Sequence, residues 1–140
     1  MKKGLDYIGV GVGAIIRDDT GKVLLCKRGK DARNESGAWE FPGGAVEFGD
    51  TLAQTIIREI KEELDIEIEI IEQLTAQDHL IPQEKQHWVT TPFFCKILSG
   101  TTRIMEPNKC DEVGWFTLKE IETMNLAIPT KIAFDKYFIK

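Results

Sequence analysis

Cysteine is scarce in this chain, and what there is does not pair: Cys26, Cys95 and Cys110 are widely spaced, and no C-x-x-C occurs. That argues against a structural zinc site and against a disulfide framework, and suggests buried free thiols in a reducing compartment. There are only two histidines, His79 and His87, eight residues apart with no neighbouring cysteine, which makes them a poor zinc pair. Positive charge is not in excess. Eighteen Lys and Arg against 23 Asp and Glu leave a formal net charge of −5, which speaks against a nucleic-acid groove and against an anionic membrane surface. No apolar run reaches membrane-spanning length. The start, MKKGLDYIGVGVGAII, turns from basic to apolar like a secretion signal, but Asp6, three glycines in the apolar run and the Arg17-Asp18-Asp19 that follows fit a first strand better. The expected location is cytoplasmic. Repeats and low-complexity linkers are absent too, and 140 residues suit one domain spanning 1–140 with a real core.

What is present concentrates between Gly44 and Ile66, in GAVEFGDTLAQTIIREIKEELDI. A glycine-rich turn leads into a helix expected over Thr51 to Leu64, with Leu52, Ile56, Ile60 and Leu64 as its buried stripe. Residues three and four apart share a helix face, so Glu59, Glu62 and Glu63 form a carboxylate cluster beside that stripe. Such a cluster calls for a counter-charge. Hard divalent cations take oxygen ligands and complete their shell with water and substrate phosphates. The simplest reading is a site for metal-assisted phosphate chemistry. The bland alternative is a solvated, salt-bridged helix end.

This segment resembles the Nudix box, G-x5-E-x7-R-E-U-x-E-E-x-G-U, where U is a bulky aliphatic residue. Gly44, Arg58-Glu59, Ile60, Glu62-Glu63 and Ile66 match at the required spacing over 23 residues, and Trp39-Glu40-Phe41-Pro42-Gly43 looks like the usual lead-in. Two positions depart. Asp50 stands where the box has its first glutamate; it reads as the helix N-cap, with a shortened pair to Arg58 as the other option. Asp65 stands where the box has glycine, at a left-handed helix end that Asp tolerates at modest cost.

The resemblance implies a fold of mixed α/β (α+β) type, an α/β/α sandwich with a mixed β-sheet between helices. It also implies Mg²⁺ held by Glu59, Glu62, Glu63 and the carbonyl of Gly43, with Mn²⁺ able to substitute, and Arg58 ordering the carboxylates. Members differ in taking the general base from the box or from a later loop; Glu59, Glu62 and the loop residue Glu84 are the candidates here, with Glu112 as a second one outside the box. For substrate contacts the candidates are Trp39, Phe48 and Trp88 as stacking surfaces and His87, Asp111 and Glu112 as base readers, against the ordinary fates of core aromatic, solvated charge and turn residue. Relatives are often homodimers, so a homodimer is the assembly to test for.

Along the rest of the chain, Tyr7 to Arg17 and Lys22 to Arg28 are expected as a hairpin around Asp18-Asp19-Thr20-Gly21. Ile66 to Leu74 alternates as a half-buried strand, and Trp88 to Leu98 is a strand that Pro92 places at an edge or bulge. A short strand over Glu112 to Thr117 and helices over Leu118 to Met124 and Thr130 to Phe138 complete the reading. The expected activity is Mg²⁺-dependent cleavage of a nucleoside triphosphate to monophosphate and pyrophosphate, on a small nucleotide and not a nucleic acid or membrane. ADP-ribose or another nucleoside diphosphate derivative is the alternative, suggested by Pro82 sixteen residues past Ile66. A catalytically silent nucleotide-binding module is the alternative of another class.

Overall fold

Apolar residues on both faces of the first two strands decide the architecture. In β1 (Gly9–Ile16), Val12, Ala14 and Ile16 face one way, and Ile15 faces the other. In β2 (Val23–Arg28), Leu24 and Cys26 join the first set, and Val23 and Leu25 the second. Strands buried on both faces need a layer on each side. The computed structural model, which describes residues 1–32 and 34–139, supplies them. Helix α1 (Leu52–Leu64) lays Ile56, Ile60 and Leu64 on the first face; α2 (Leu118–Ile121) and α3 (Ile128–Phe138) lay Ile121, Ala133 and Phe134 on the second. Each fully buried side chain of the α1 stripe contributes about 1.5–3 kcal/mol of transfer free energy. Leu52, at the helix start, is only half-buried.

The strands form two sheets. The larger runs β4 (Gly43–Ala45), β1, β7 (Gln86–Ser99) and β5 (Glu67–Gln73), with β6 (Gln77–Ile81) also paired to β7. β1 and β7 are parallel and the remaining pairs antiparallel, so the sheet is mixed. The smaller sheet is β3 (Trp39–Glu40), β2 and β8 (Cys110–Phe116). Among the described residues no helix is long and apolar enough to cross a membrane.

Three expectations are corrected. The Asp18–Gly21 turn forms, with the Asp18 carboxylate accepting from the backbone of Thr20 at 2.9 Å and of Lys22 at 3.0 Å. The strands it joins are not a hairpin: beyond an Arg17–Val23 bridge they part into different sheets. The edges of β1 are taken by β4 and β7, and those of β2 by β3 and β8. Second, β7 is not an edge strand. Pro92 is tolerated because β6 pairs with β7 only as far as Thr90 and β5 begins at Phe93, so no ladder partner stands opposite it on that side. Third, the N-cap of α1 is Thr51, in a capping box with Gln54, and Asp50 pairs with Arg58 instead. Asp65 ends α1 in the left-handed region at φ 58°, as expected, returning its N–H to Lys61 O. β6 has no counterpart in the sequence reading.

Candidate active site

The Arg58 guanidinium is shared by three carboxylates. It bonds Asp50 directly and stands 3.5 Å from Glu59 and 3.7 Å from Glu62. Asp50, reaching back from the loop before the helix, pins the Arg58 head, and Glu59 is held alongside. Gly44 completes the cradle: a Cβ there would lie 2.6 Å from Glu59 Cδ and 2.8 Å from its Oε2. The carboxylate therefore occupies space that only glycine leaves open. Gly43, one residue earlier, packs against the Val12 carbonyl so closely that any side chain would collide with it.

Glu59 and Glu63 turn into a cleft of about 580 Å³ that is also lined by Glu40, Glu106 and Lys109 and by the backbone of Gly43 and Gly44. Burial pushes the Glu63 carboxyl well above the ordinary range, and Glu40, Glu59 and Glu106 push it further. Glu59 is raised by burial and then by Glu62. Glu40 is raised by burial against the pull of Arg28, whose Nη1 donates to it at 2.8 Å. One oxygen of Glu106, Oε1, is buried with no hydrogen-bond partner, while Oε2 lies 3.7 Å from Lys109.

Among the described residues no three His, Cys, Asp or Glu side chains already converge as metal ligands. The donor set nevertheless suits a hard divalent cation. It is all oxygen, it holds more negative charge than Arg58 and Lys109 offset, and it includes an unpartnered carboxylate oxygen that burial makes costly to leave alone.

The cleft continues away from these acids to Gln77, His79 and Ile81 of β6, Trp88 and Thr90 of β7, and Pro129, Thr130 and Ala133 of α3. In the strand order β4-β1-β7-β6, three strand spacings of about 4.8 Å set the β4 and β6 sides roughly 14 Å apart. His79 is 7% exposed; burial, then His87, lowers its pKa, so its ring is neutral at neutral pH. His79 Nδ1 and Gln77 Oε1 are buried without partners. Gln77 is oriented by its amide N–H donating to Pro129 O at 2.8 Å.

The structure brings together only part of the residues the sequence singles out. Gly43, Glu59, Glu63 and Trp88 line the cleft. Glu62 does not; its side chain is 54% exposed at the outer edge of the Arg58 fan. Glu84 lies in a 3₁₀ turn over Pro82–Glu84, accepts from Gln86 Nε2 at 3.2 Å and borders a separate depression with Met1, Lys2 and Tyr7. Trp39 packs edge-on against Phe116 at 5.1 Å, outside the cleft lining. Phe48 is fully exposed. His87 faces Asp78 at 3.3 Å across the β6–β7 pair. Asp111 and Glu112 are exposed on β8. Trp88 covers Gly4 and Gly9, with its indole N–H donating to Gln86 Oε1 at 2.8 Å, so one face of the ring is already occupied.

Conversely, Glu106, Lys109, Glu40, Gln77 and His79 carry the cleft, and none was picked out as a site residue. Glu40 had a signal, since it lies in the lead-in to the box. Glu106, beside Pro107 and Lys109, reads as a solvated loop acid.

The NUDIX domain model matches residues 8–139. The structure superposes with TM-score 0.85 on a MutT NUDIX hydrolase from Burkholderia pseudomallei, at 34% identity and covering 94% of this chain and 98% of that one. Nucleoside triphosphatase NudI of Enterobacter sp. (strain 638) is 27% identical over 130 residues, 86% of this chain and 91% of its own length. Putative nudix hydrolase 1 of Caenorhabditis elegans is 28% identical over 105 residues, 75% of this chain and only 27% of its own length. With the Arg58 fan and the Gly44 cradle beside a cleft of half-buried acids, these matches make the chain a member of the NUDIX domain family, a Nudix hydrolase acting on phosphoanhydride bonds.

Proposed function

We propose that this hydrolase cleaves a nucleoside triphosphate to the monophosphate and pyrophosphate in a Mg²⁺-dependent reaction. The observation that carries the reading is one cleft with two unlike sides: half-buried carboxylates from α1, β3 and the loop before β8, and unpartnered neutral polar atoms at β6 facing the start of α3. The first side suits a cation-bearing phosphate chain, the second a nucleobase edge. NudI, whose name records a nucleoside triphosphatase, is aligned over most of both chains.

Glu59, Glu63, Glu106 and the Gly43 carbonyl are the groups to hold the metal, with Glu62, one turn from Glu59, as the further box ligand. A divalent cation held there would supply charge neutralisation for the phosphates and activation of water. Arg58 keeps the carboxylates ordered through charge-assisted hydrogen bonds. Lys109 sits beside Glu106 to meet phosphate oxygens. Of the proposed bases, Glu59 is the better placed, because it lines the cleft and Glu84 does not. Residues 1–140 are taken as one hydrolase domain acting on a small nucleotide in the cytoplasm.

Product analysis tests the reading. The purified chain with Mg²⁺ is offered ribo- and deoxynucleoside triphosphates, oxidised guanine nucleotides and ADP-ribose, with Glu59→Gln as control. Pyrophosphate plus a monophosphate, lost in the variant, is the expected outcome. AMP and ribose phosphate from ADP-ribose alone replace the triphosphate reading with that of a nucleoside diphosphate derivative. Binding without turnover of anything leaves a silent module.

A further inference from the structure

Two thiols in the cleft have no part in that chemistry. Cys26 on β2 and Cys110 at the start of β8 both line it and are 3% and 7% exposed. β2 and β8 are antiparallel neighbours, with Cys26 opposite Val113 and Arg28 opposite Cys110, and the register shifts between Lys27 and Arg28. Residues two apart on a strand share a face, so Cys26 and Cys110 are diagonal neighbours on the same face and belong to one core cluster, with the Cys110 thiol donating to the Glu112 carbonyl at 3.1 Å. Diagonal cross-strand Cα atoms lie about 7–8 Å apart, just beyond the roughly 4.4–6.8 Å that a disulfide spans. The irregular register lies in the segment that has to close this gap, where the ladder is already interrupted. Cys95 on β7 is the internal contrast: it is buried but does not line the cleft.

We infer that Cys26 and Cys110 form a two-electron oxidation site for a small peroxide that enters through the cleft, closing as a disulfide. One thiol sulfur takes an oxygen from hydrogen peroxide: the S–O bond forms, the O–O bond breaks, and the first water leaves with the proton from that thiol. The second sulfur then attacks the sulfenic sulfur. The S–S bond forms, the S–O bond breaks, and the departing hydroxide takes the second thiol's proton as another water. The sulfur pair gives up two electrons, the peroxide is reduced, and two waters are the only by-product. The closure bears on the acid side of the cleft. Cys110 N donates to Glu106 O at 3.1 Å and Lys109 N to the same oxygen at 2.9 Å, so drawing Cys110 towards Cys26 moves the backbone that carries Glu106. This last consequence, loss of turnover, rests on the function proposed above; the disulfide itself does not.

The test treats the full chain with hydrogen peroxide and measures its intact mass, then unfolds and alkylates it, counts the tags taken up and maps the peptides. The expected result is loss of two alkylatable thiols of three and a fall of about 2 Da, mapped to Cys26–Cys110, reversed by dithiothreitol and with Cys95 still reduced. Cys26→Ser and Cys110→Ser each abolish the cross-link, with melting curves checking that both variants fold. Three free thiols after treatment, oxidation to sulfinic acid without a cross-link, or a cross-link that includes Cys95 overturns the inference. In the oxidised chain turnover falls at least about tenfold and recovers on reduction. A reduced chain with no turnover counts against the proposed activity, and the mass readout still decides the thiol pair.

Discussion

The α1–β4 side of the cleft and the β6–α3 side are built on different principles. On the first, Glu59 and Glu63 come from one stretch of 23 residues, where helix spacing, a glycine and one arginine place them, and Glu40, Glu106 and Lys109 join them from outside it. On the second, the atoms come from β6, β7 and the start of α3, about fifty residues apart in the chain, tied by contacts such as the 2.8 Å bond from Gln77 to the Pro129 carbonyl. Local geometry can be written into a motif. A wall assembled from distant strands cannot, and it is the wall that is free to vary with substrate.

Breaking the local side should cost most. Glu59→Gln is expected to lower kcat by about 10²–10³-fold with little change in Tm, because it removes a charge in the cleft and no packing; steady-state kinetics beside a thermal melt checks both. Gly44→Ala sharpens the point by leaving every charge in place. Its Cβ would sit 2.6 Å from Glu59 Cδ, so the carboxylate must shift, and kcat should fall about 10–100-fold with Mg²⁺ affinity weakened. An Ala variant as active as the parent would mean that Glu59 need not stand where the cradle puts it.

The acid side should also show in stability against pH. Burial, then Glu40, Glu59 and Glu106, raises Glu63 in the folded chain above its ordinary 4.5, so the folded state holds its proton more tightly than the unfolded state does. Its contribution is full below 4.5 and is lost as pH rises through the raised folded value. In chelator, Glu63→Gln should flatten that decline and raise Tm at neutral pH, at about 2–4 °C per kcal/mol for a chain of this size. Melting curves across pH give the answer, and an unchanged slope would remove Glu63 as its source. Smallest of all is Phe48→Ala. A fully exposed ring outside the cleft should change Tm by less than about 0.5 kcal/mol equivalent and kcat/KM by less than about twofold. A large loss of kcat/KM would show that Phe48 meets the substrate after all.

Much of the α1 region was legible in the residues themselves. The buried stripe, the left-handed Asp65 and the common edge of Glu59 and Glu63 follow from helix periodicity and cap chemistry. Asp50 was misread because Asp and Thr are both good N-caps; the longer reach of Arg58 settled the matter, leaving Thr51 to pair with Gln54. The hairpin was misread because a good turn says only that the chain reverses, not that its two arms share a ladder. Pro92 pointed to an edge or a bulge, and it occupies the gap between two partner strands of a central strand.

Order along the chain, then, determined the helix, its left-handed end at Asp65, the shared edge of Glu59 and Glu63 and the family. Those rest on interactions within a few residues, whose geometry the backbone repeats wherever the pattern occurs. Tertiary structure alone decided that β1 and β2 part into two sheets, that Glu106 rather than Glu84 joins the acids, and that His79 and Gln77 rather than His87 line the far wall. Those outcomes depend on which distant strands pair and which side chains lose their water, and neither is encoded in local spacing.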